Sequence, residues 1–404
     1  MGVFAIVWGM AVEKIKGLAS LVSNDPTMPT GYGVQAGQLV EQMKKHGIHI
    51  GVLSNYGTEG NIRQHRTKYG DVPIYPKGLK PYSDDVIELW HNHHRAQHPR
   101  LPHAIFTLYD VWVYNALPEM DTPIYCWVPL DHITLPPLVK KFLDRPNVHA
   151  IAMSPHGQRQ LKGAGIESVY IPHAVNTDVF VRTEKFRGQP TREFMDIKAD
   201  DFLVSMVMAN KANGMVHRKA YAEQLLAFGI FHKEHPDSHL YIHADPLPLT
   251  GGFHLGDLLK SCGVPASAVT IANRDELKTG YSDQEMAAIY SATDVLMMAT
   301  YGEGFGVPVI EAQACGTRVI TSSWAATPDL VSEDSFLVEG QPFWDEPQKS
   351  FFQIPLLGSM VSALERAYNA DRGPSVASRQ FALGFGVETV FERDWVPFLR
   401  EVFA

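Results

Sequence analysis

Apolar and polar positions alternate in a repeated rhythm between residues 18 and 338. A short apolar run is followed by a turn and then by a longer stretch with apolar residues at helical spacing. The first run, 18–23, reads as a strand. A glycine-bearing turn, Thr30-Gly31-Tyr32-Gly33, leads into a helix over 34–46 with Val34, Leu39, Val40 and Met43 near helical spacing, and Gly47 ends it. Residues 48–53 form the next strand, and further strands are expected at 104–108, 123–128, 148–153 and 168–171. The rhythm breaks at 171–178 and in the polar stretch 182–192, which reads as a linker. It restarts with a strand over 202–208 and a long helix around 219–234, then strands at 239–243, 268–272, 294–299 and 318–321. A closing helix over 387–403 carries Trp395 and Phe398. Strands that alternate with helices in this way argue for parallel sheets covered on both faces.

The 404 residues suit two domains of roughly 200 residues each. The expected layout is a Rossmann-like domain over 1–180, with 1–16 as an extension, a second over 181–384, and a C-terminal helix over 385–404 packing back on the first. A hydrophobic share of 45% and a charged share of 20% are those of an ordinary globular chain. The formal net charge of -9 disfavours a surface that tracks nucleic-acid phosphates. Cys126, Cys262 and Cys315 are too scattered for a disulfide framework or a metal site, which points to a reduced, cytoplasmic compartment. No apolar run reaches the ~20 residues of a membrane span, and residues 1–10 lack the basic start of a signal peptide.

Chemistry concentrates at residues 301–316, which read Y-G-E-G-F-G-V-P-V-I-E-A-Q-A-C-G. A strand comes just before. Gly302, Gly304 and Gly306 make a turn whose backbone can approach a ligand, and Pro308 suits the first turn of a helix. The unpaired N–H groups and positive dipole end of that helix suit a diphosphate. Glu303 and Glu311 supply acceptors for sugar and ribose hydroxyls. The string resembles the E-x7-E signature of glycosyltransferase family 4, retaining enzymes of the GT-B fold. The segment 171–180 is similar to the inter-domain segment of that family, with Ala174 and Asn176 as departures, and residues 30–33 are similar to its N-terminal glycine loop.

The resemblance implies an α/β chain of two facing Rossmann-like domains. It implies that Glu311 holds the donor ribose, that Glu303 lies at the donor sugar, and that the backbone of Gly304, Phe305 and Gly306 meets sugar and phosphates. Arg218 and Lys219, expected at the start of the long helix, occupy the place of the family's phosphate-binding basic pair. A further arginine of the family is missing, with Asn210 and Lys211 in that region; Lys211 is the substitute. At the end of strand 123–128, Asp131 and His132 are candidates for contact with the transferred sugar or the acceptor hydroxyl, against a structural reading of Asp131 as a cap. Asp110 reads as structural. Gly31 and Gly33 would line the acceptor side. The stretch His91, His93, His94, His98, His103 reads as a solvated helix and loop rather than a zinc site. With no Asp-x-Asp in the chain, no metal or other cofactor is expected beyond the donor itself.

The expected reaction is transfer of a hexose-type sugar from a nucleotide-diphosphate sugar to a neutral hydroxyl acceptor, with retention. The alternatives are a nucleotide-sugar epimerase or phosphorylase on the same fold, or a non-catalytic module that binds sugar nucleotides.

Overall fold

The computed structural model describes residues 14–212, 216–247 and 251–404. Most of the expected extension, residues 1–13, lies outside the described residues. By its internal contacts the chain divides into two compact units. The first comprises the described residues up to Trp127, Arg145–His149 and Phe391–Ala404; the second comprises Val128–Asp144 and Ala150–Val390.

In the first unit the strands are β1 (Leu18–Ser23), β2 (His49–Ser54), β3 (Arg63–Thr67), β4 (Gly70–Tyr75), β5 (His103–Leu108) and β6 (Ile124–Val128), in the order β3-β4-β2-β1-β5-β6. Leu18 of β1 is paired with His49 on one side and His103 on the other, both in parallel register. All six residues of β1 are buried, as a central parallel strand covered on both faces requires. Helix Gly31–Lys45 starts earlier than its apolar pattern indicates. The Thr30 hydroxyl caps it by accepting from Gly33 N at 3.0 Å, and Gly47 with φ +85° provides the left-handed exit.

The hairpin β3–β4, polar along its first strand, was not foreseen, and the histidine-rich stretch is corrected. Helix Ile87–Ala96 carries His91, His93 and His94, His98 lies in the turn after it and His103 opens β5; His91 and His94 are buried rather than solvated, and both ring Nδ1 atoms meet the Ser20 hydroxyl, at 2.9 and 3.3 Å. The closing segment carries helix Val396–Val402, and Trp395 just before it packs edge-on against Trp127 with ring centroids 5.1 Å apart.

The second unit takes the last residues of β7 (Val148–Ala152), paired in parallel with β8 (Ser168–Tyr170). Residues 182–192, expected as a linker, contain the hairpin β9 (Lys185–Phe186) and β10 (Gln189–Pro190). Phe186 is buried among Met195, Ile197, Leu203 and Tyr241. The polar residues that suggested a linker are held in ion pairs: Arg187 with Glu276 at 2.6 Å and Arg192 with Asp294 at 2.8 Å. The main sheet here has β11 (Phe202–Val207), β12 (Ser238–His243), β13 (Val269–Ile271), β14 (Val295–Met298), β15 (Arg318–Ser322) and β16 (Phe336–Val338). Its order is β13-β12-β11-β14-β15-β16 and every pair is parallel.

The chain runs outward from β11 to β13 and then returns to the other side of β11 with β14. A parallel sheet opens a crevice at such a reversal, beyond the carboxyl ends of the two strands. A second unforeseen hairpin follows, β17 (Gly340–Asp345) and β18 (Ser350–Pro355). Among the described residues no helix is long and apolar enough to cross a membrane, and no group of three or more His, Cys, Asp or Glu could hold a metal ion.

Candidate active site

The crevice beyond β11 and β14 receives the loop Tyr301-Gly302-Glu303-Gly304-Phe305-Gly306. Two of its glycines are needed by the chain itself. A Cβ on Gly302 would collide with the carbonyl oxygen of Asp131, and one on Gly304 would lie 2.8 Å from Pro129 Cα. The loop is thus seated on residues 129–131. Gly306, with φ +101°, turns it into helix Val307–Ala314, with Pro308 in the first turn. The positive end of that helix dipole lies at the loop.

Arg218 and Lys219 are not solvated helix-start charges. Helix Tyr221–Glu234 begins after them, and both sit in the loop that enters it. Lys219 Nζ donates to Glu303 Oε1 at 2.6 Å, and the two side chains are only 15% and 8% exposed. Arg218 Nη1 donates to the Gly302 carbonyl at 2.8 Å, lies 3.4 Å from Glu303 Oε2 and 3.8 Å from Asp131 Oδ2. Asp131 Oδ1 is 2.7 Å from His132 Nδ1, and the other ring nitrogen, Nε2, is 3.0 Å from Asp345 Oδ2. Read in order, Asp345, His132, Asp131, Arg218, Glu303 and Lys219 form one unbroken row of alternating negative and positive groups.

The electrostatics follow from that row. Burial alone would push the carboxyls of Asp131 and Glu303 up, but the hydrogen bond from His132 and the charge of Lys219 respectively leave both below the usual carboxylate range. Burial pulls Lys219 below its ordinary value; Glu303 opposes this, and Arg218 and Lys211 reinforce it. His132 is raised: burial disfavours its charge, yet Asp131 and Asp345 outweigh that. A carboxylate oxygen within reach of each ring nitrogen favours the charged form of His132, which can donate from both.

Glu311 stands apart from this row. Burial pushes its carboxyl up to about 7, although the Tyr290 hydroxyl donates to Oε2 at 2.9 Å. In the first unit, Gly31 has open space where a Cβ would be, whereas Gly33 is packed against Met28 and its N–H is taken by Thr30. Tyr32 lies against Tyr109 with ring centroids 5.0 Å apart. Asp345 and Phe352, which stacks 3.7 Å from the His132 ring centroid, were not found by sequence reasoning. Both come from the unforeseen hairpin, and no local motif announces them.

Residues 265–346, which span the glycine loop and both glutamates, match the family described as glycosyl transferases group 1. The likeness to that family holds. Curated relatives include the D-inositol 3-phosphate glycosyltransferase of Streptomyces avermitilis, 34% identical over 98 residues, 23% of this chain and 21% of the relative. Another is the MMP alpha-(1->4)-mannosyltransferase of Mycolicibacterium hassiacum, 38% identical over 56 residues, 14% of each chain. The matched part therefore spans 21% or less of the length of these two relatives.

Solved structures match over nearly the whole chain. Sucrose-phosphate synthase from Thermosynechococcus elongatus has a TM-score of 0.73 at 17% identity, covering 96% of this chain and 99% of its own. The trehalose 6-phosphate synthase of Burkholderia multivorans has a TM-score of 0.66 at 15% identity, covering 96% and 99%. Anabaena HepE, solved with UDP and glucose, has a TM-score of 0.62 at 14% identity, covering 94% and 98%. The fold is that of the GT-B glycosyltransferases.

Proposed function

We propose that the chain is a retaining glycosyltransferase that moves a hexose from a nucleotide-diphosphate sugar to a hydroxyl acceptor. The observation that carries this reading is the pair of part-buried cations at the strand-order reversal, Lys219 and Arg218, which share the carboxylate of Glu303 beside the loop and helix start. A buried carboxylate bridging two cations occupies the position a diphosphate would take. Donor binding replaces it: the phosphates pair with Lys219, Arg218 and the N–H groups at the loop, with Lys211 near enough to add its charge. Glu303, released from both cations, accepts from hydroxyls of the transferred sugar, and Glu311 accepts from the ribose.

In the reaction the bond between the anomeric carbon and the leaving phosphate oxygen breaks, and the acceptor oxygen bonds to the same carbon from the same face. The acceptor proton passes to the departing phosphate. Cations that neutralise the leaving diphosphate supply the main electrostatic stabilisation, and no protein nucleophile or metal is needed. The relatives named as an inositol 3-phosphate glycosyltransferase and a mannosyltransferase support sugar transfer, and a neighbour solved with UDP and glucose supports a sugar-nucleotide donor.

The test is incubation with UDP-, GDP-, ADP- and dTDP-sugars and a panel of hydroxyl acceptors. Release of a nucleoside diphosphate with a glycoside that keeps the donor's anomeric configuration is expected. An epimerised donor, a free sugar phosphate, or binding without turnover would overturn the reading.

A further inference from the structure

The hairpin β17–β18 has no part in either main sheet, yet it is anchored to the site at several points. Phe351 N and O pair with Ile133 O and N at 2.9 and 3.0 Å. Ser350 Oγ donates to the Thr134 carbonyl, and Gln353 N donates to the Tyr301 carbonyl at 3.0 Å. One strand of the hairpin is therefore fixed both to the segment that carries His132 and to the loop that carries Glu303. Its apolar side chains Phe343, Phe352 and Ile354 pack with Ala220, Tyr301 and Val216 next to Lys219. From this base it places two groups on one ring. Phe352 lies on the face of His132 at 3.7 Å between centroids, with the planes 30° apart, and Asp345 takes the Nε2 edge at 3.0 Å.

We infer that this hairpin is a clamp on His132, and that Asp345 is a positioning residue for sugar transfer: it keeps the ring doubly protonated and fixed in plane, so that His132 serves as a cationic hydrogen-bond donor and not as a base. This rests on the glycosyltransferase reading above. The groups that bear on the ring come from every side. Asp131 adjoins it in sequence and is itself faced by Arg218 and Glu303; Asp345 and Phe352 come from the hairpin; His156 donates from Nε2 to the His132 carbonyl at 2.9 Å. Among the described residues, the charges that act on the imidazole are the two carboxylates, Asp131 and Asp345. A base would need a ring nitrogen with a free lone pair, and each nitrogen here faces a carboxylate oxygen, which can only accept from it. A cation held this way by Asp345 can give its Nδ1 N–H to a sugar hydroxyl or a departing oxygen when the ligand displaces Asp131, and it delivers charge without a proton leaving the protein.

The experiment uses the intact protein with labelled histidine. Its imidazole signals are followed by NMR against pH, and His132 is assigned by its loss in His132→Gln. In parallel, kcat/KM for transfer is measured from pH 5.5 to 9.5. Asp345→Asn keeps the shape of the side chain and removes its charge. The expected result is a His132 midpoint about one pH unit lower, since loss of one adjacent carboxylate acts on this scale. The alkaline limb of the rate profile should move by the same amount, and Asp345→Glu should restore both. An unchanged midpoint in Asp345→Asn would show that the hairpin only packs, and a moved midpoint with an unmoved rate limb would remove Asp345 from the transfer step; either overturns the inference.

If Asp345→Asn does not fold, Phe352→Leu keeps both carboxylates but loosens the ring. There, a fall of about tenfold in kcat with the donor KM unchanged is expected, as misplacement of a reacting group produces; equal kcat overturns the clamp. If the parent protein transfers no sugar from any donor, the glycosyltransferase reading fails, while the NMR arm still decides whether Asp345 holds the proton on His132.

Discussion

Glu303 is bound to the very groups that a donor diphosphate would need, and this makes its role testable by a substitution that removes charge and little else. In Glu303→Gln, Lys219 and Arg218 lose their shared counter-ion while largely covered, and Arg218 keeps Asp131 at 3.8 Å. Removing a carboxylate from a part-buried pair of cations is costly, so an incoming anion regains more than it does in the parent protein. The expected outcome is that UDP, or whichever nucleoside diphosphate binds, binds about tenfold more tightly to Glu303→Gln, a change of about 1.4 kcal/mol. Transfer falls at the same time because the sugar hydroxyls lose their charged acceptor and meet a weaker amide oxygen. Isothermal calorimetry and initial rates on the same preparation separate the two effects; weaker nucleotide binding in the variant would mean that Glu303 helps to hold the diphosphate.

Glu311 has the opposite electrostatics, and its sign is different. Its carboxyl is raised from an ordinary 4.5 to about 7, so the folded chain holds a proton there that the unfolded chain has released. The stability it contributes is fully present below about 4.5, declines as pH rises through that window, and is lost above 7. A ribose hydroxyl donates best to the ionised form, so nucleotide affinity should rise with pH up to about 7 and then level off, with release of up to one proton on binding near pH 6. Calorimetry in buffers of different ionisation enthalpy reads that proton directly, and Glu311→Gln should abolish it.

Among the elements, those that the sequence announced are the ones whose apolar residues are contiguous. β1, β11 and β14 are buried along their whole length and read as apolar runs; the glycine loop joins such a run to a helix with a proline in its first turn. Asp131 and His132 could be named because they lie just past a legible strand, and Arg218 and Lys219 because they stand in the place of the basic pair that the resemblance implies. The hairpin β3–β4 could not be seen, because Arg63–Thr67 is R-Q-H-R-T with no apolar side to count. Asp345 could not be joined to His132, because 213 residues separate them and the bond exists only after two segments fold together.

Helix Ile87–Ala96 misled for a related reason. Histidine counts as polar in a pattern, yet as a neutral ring bonded to Ser20 it is a core residue. Burial lowers His91 to about 4 and His94 to about 3. Both are protonated more readily in the unfolded chain. The stability they add is therefore complete above about 6.5 and is lost as pH falls toward 4, by about 1.4 kcal/mol per pH unit for each ring. Hydrogen exchange of β1 and β2 should accelerate as the pH is lowered from 7 to 5 once the intrinsic chemical rate is divided out, and His94→Gln should be less sensitive to that change.

On the scale of the whole molecule, the groups proposed to hold the donor all belong to one unit. Lys211, Arg218, Lys219, Glu303, Phe305 and Glu311 lie within 150–390, and Asp131 and His132 lie in the segment Val128–Asp144 that clusters with them. Residues 24–33 and the Tyr32–Tyr109 pair belong to the other unit, where the acceptor is proposed to dock. A nucleoside diphosphate without sugar or acceptor should therefore leave its mark unevenly. By mass action a ligand at one hundred times its dissociation constant stabilises the state that binds it by about 2.7 kcal/mol. That gain slows exchange only where opening exposes the binding groups.

Hydrogen–deuterium exchange with saturating UDP, GDP, ADP or dTDP should show protection of residues 300–311 and 129–132, with residues 18–33 and 49–54 unchanged. The net charge of -9 adds a control: duplex DNA at moderate salt should protect neither set. Equal protection of both sets by the nucleotide would move part of the donor site into the first unit, and protection confined to residues 18–33 would overturn the assignment of the diphosphate to Lys219 and Arg218.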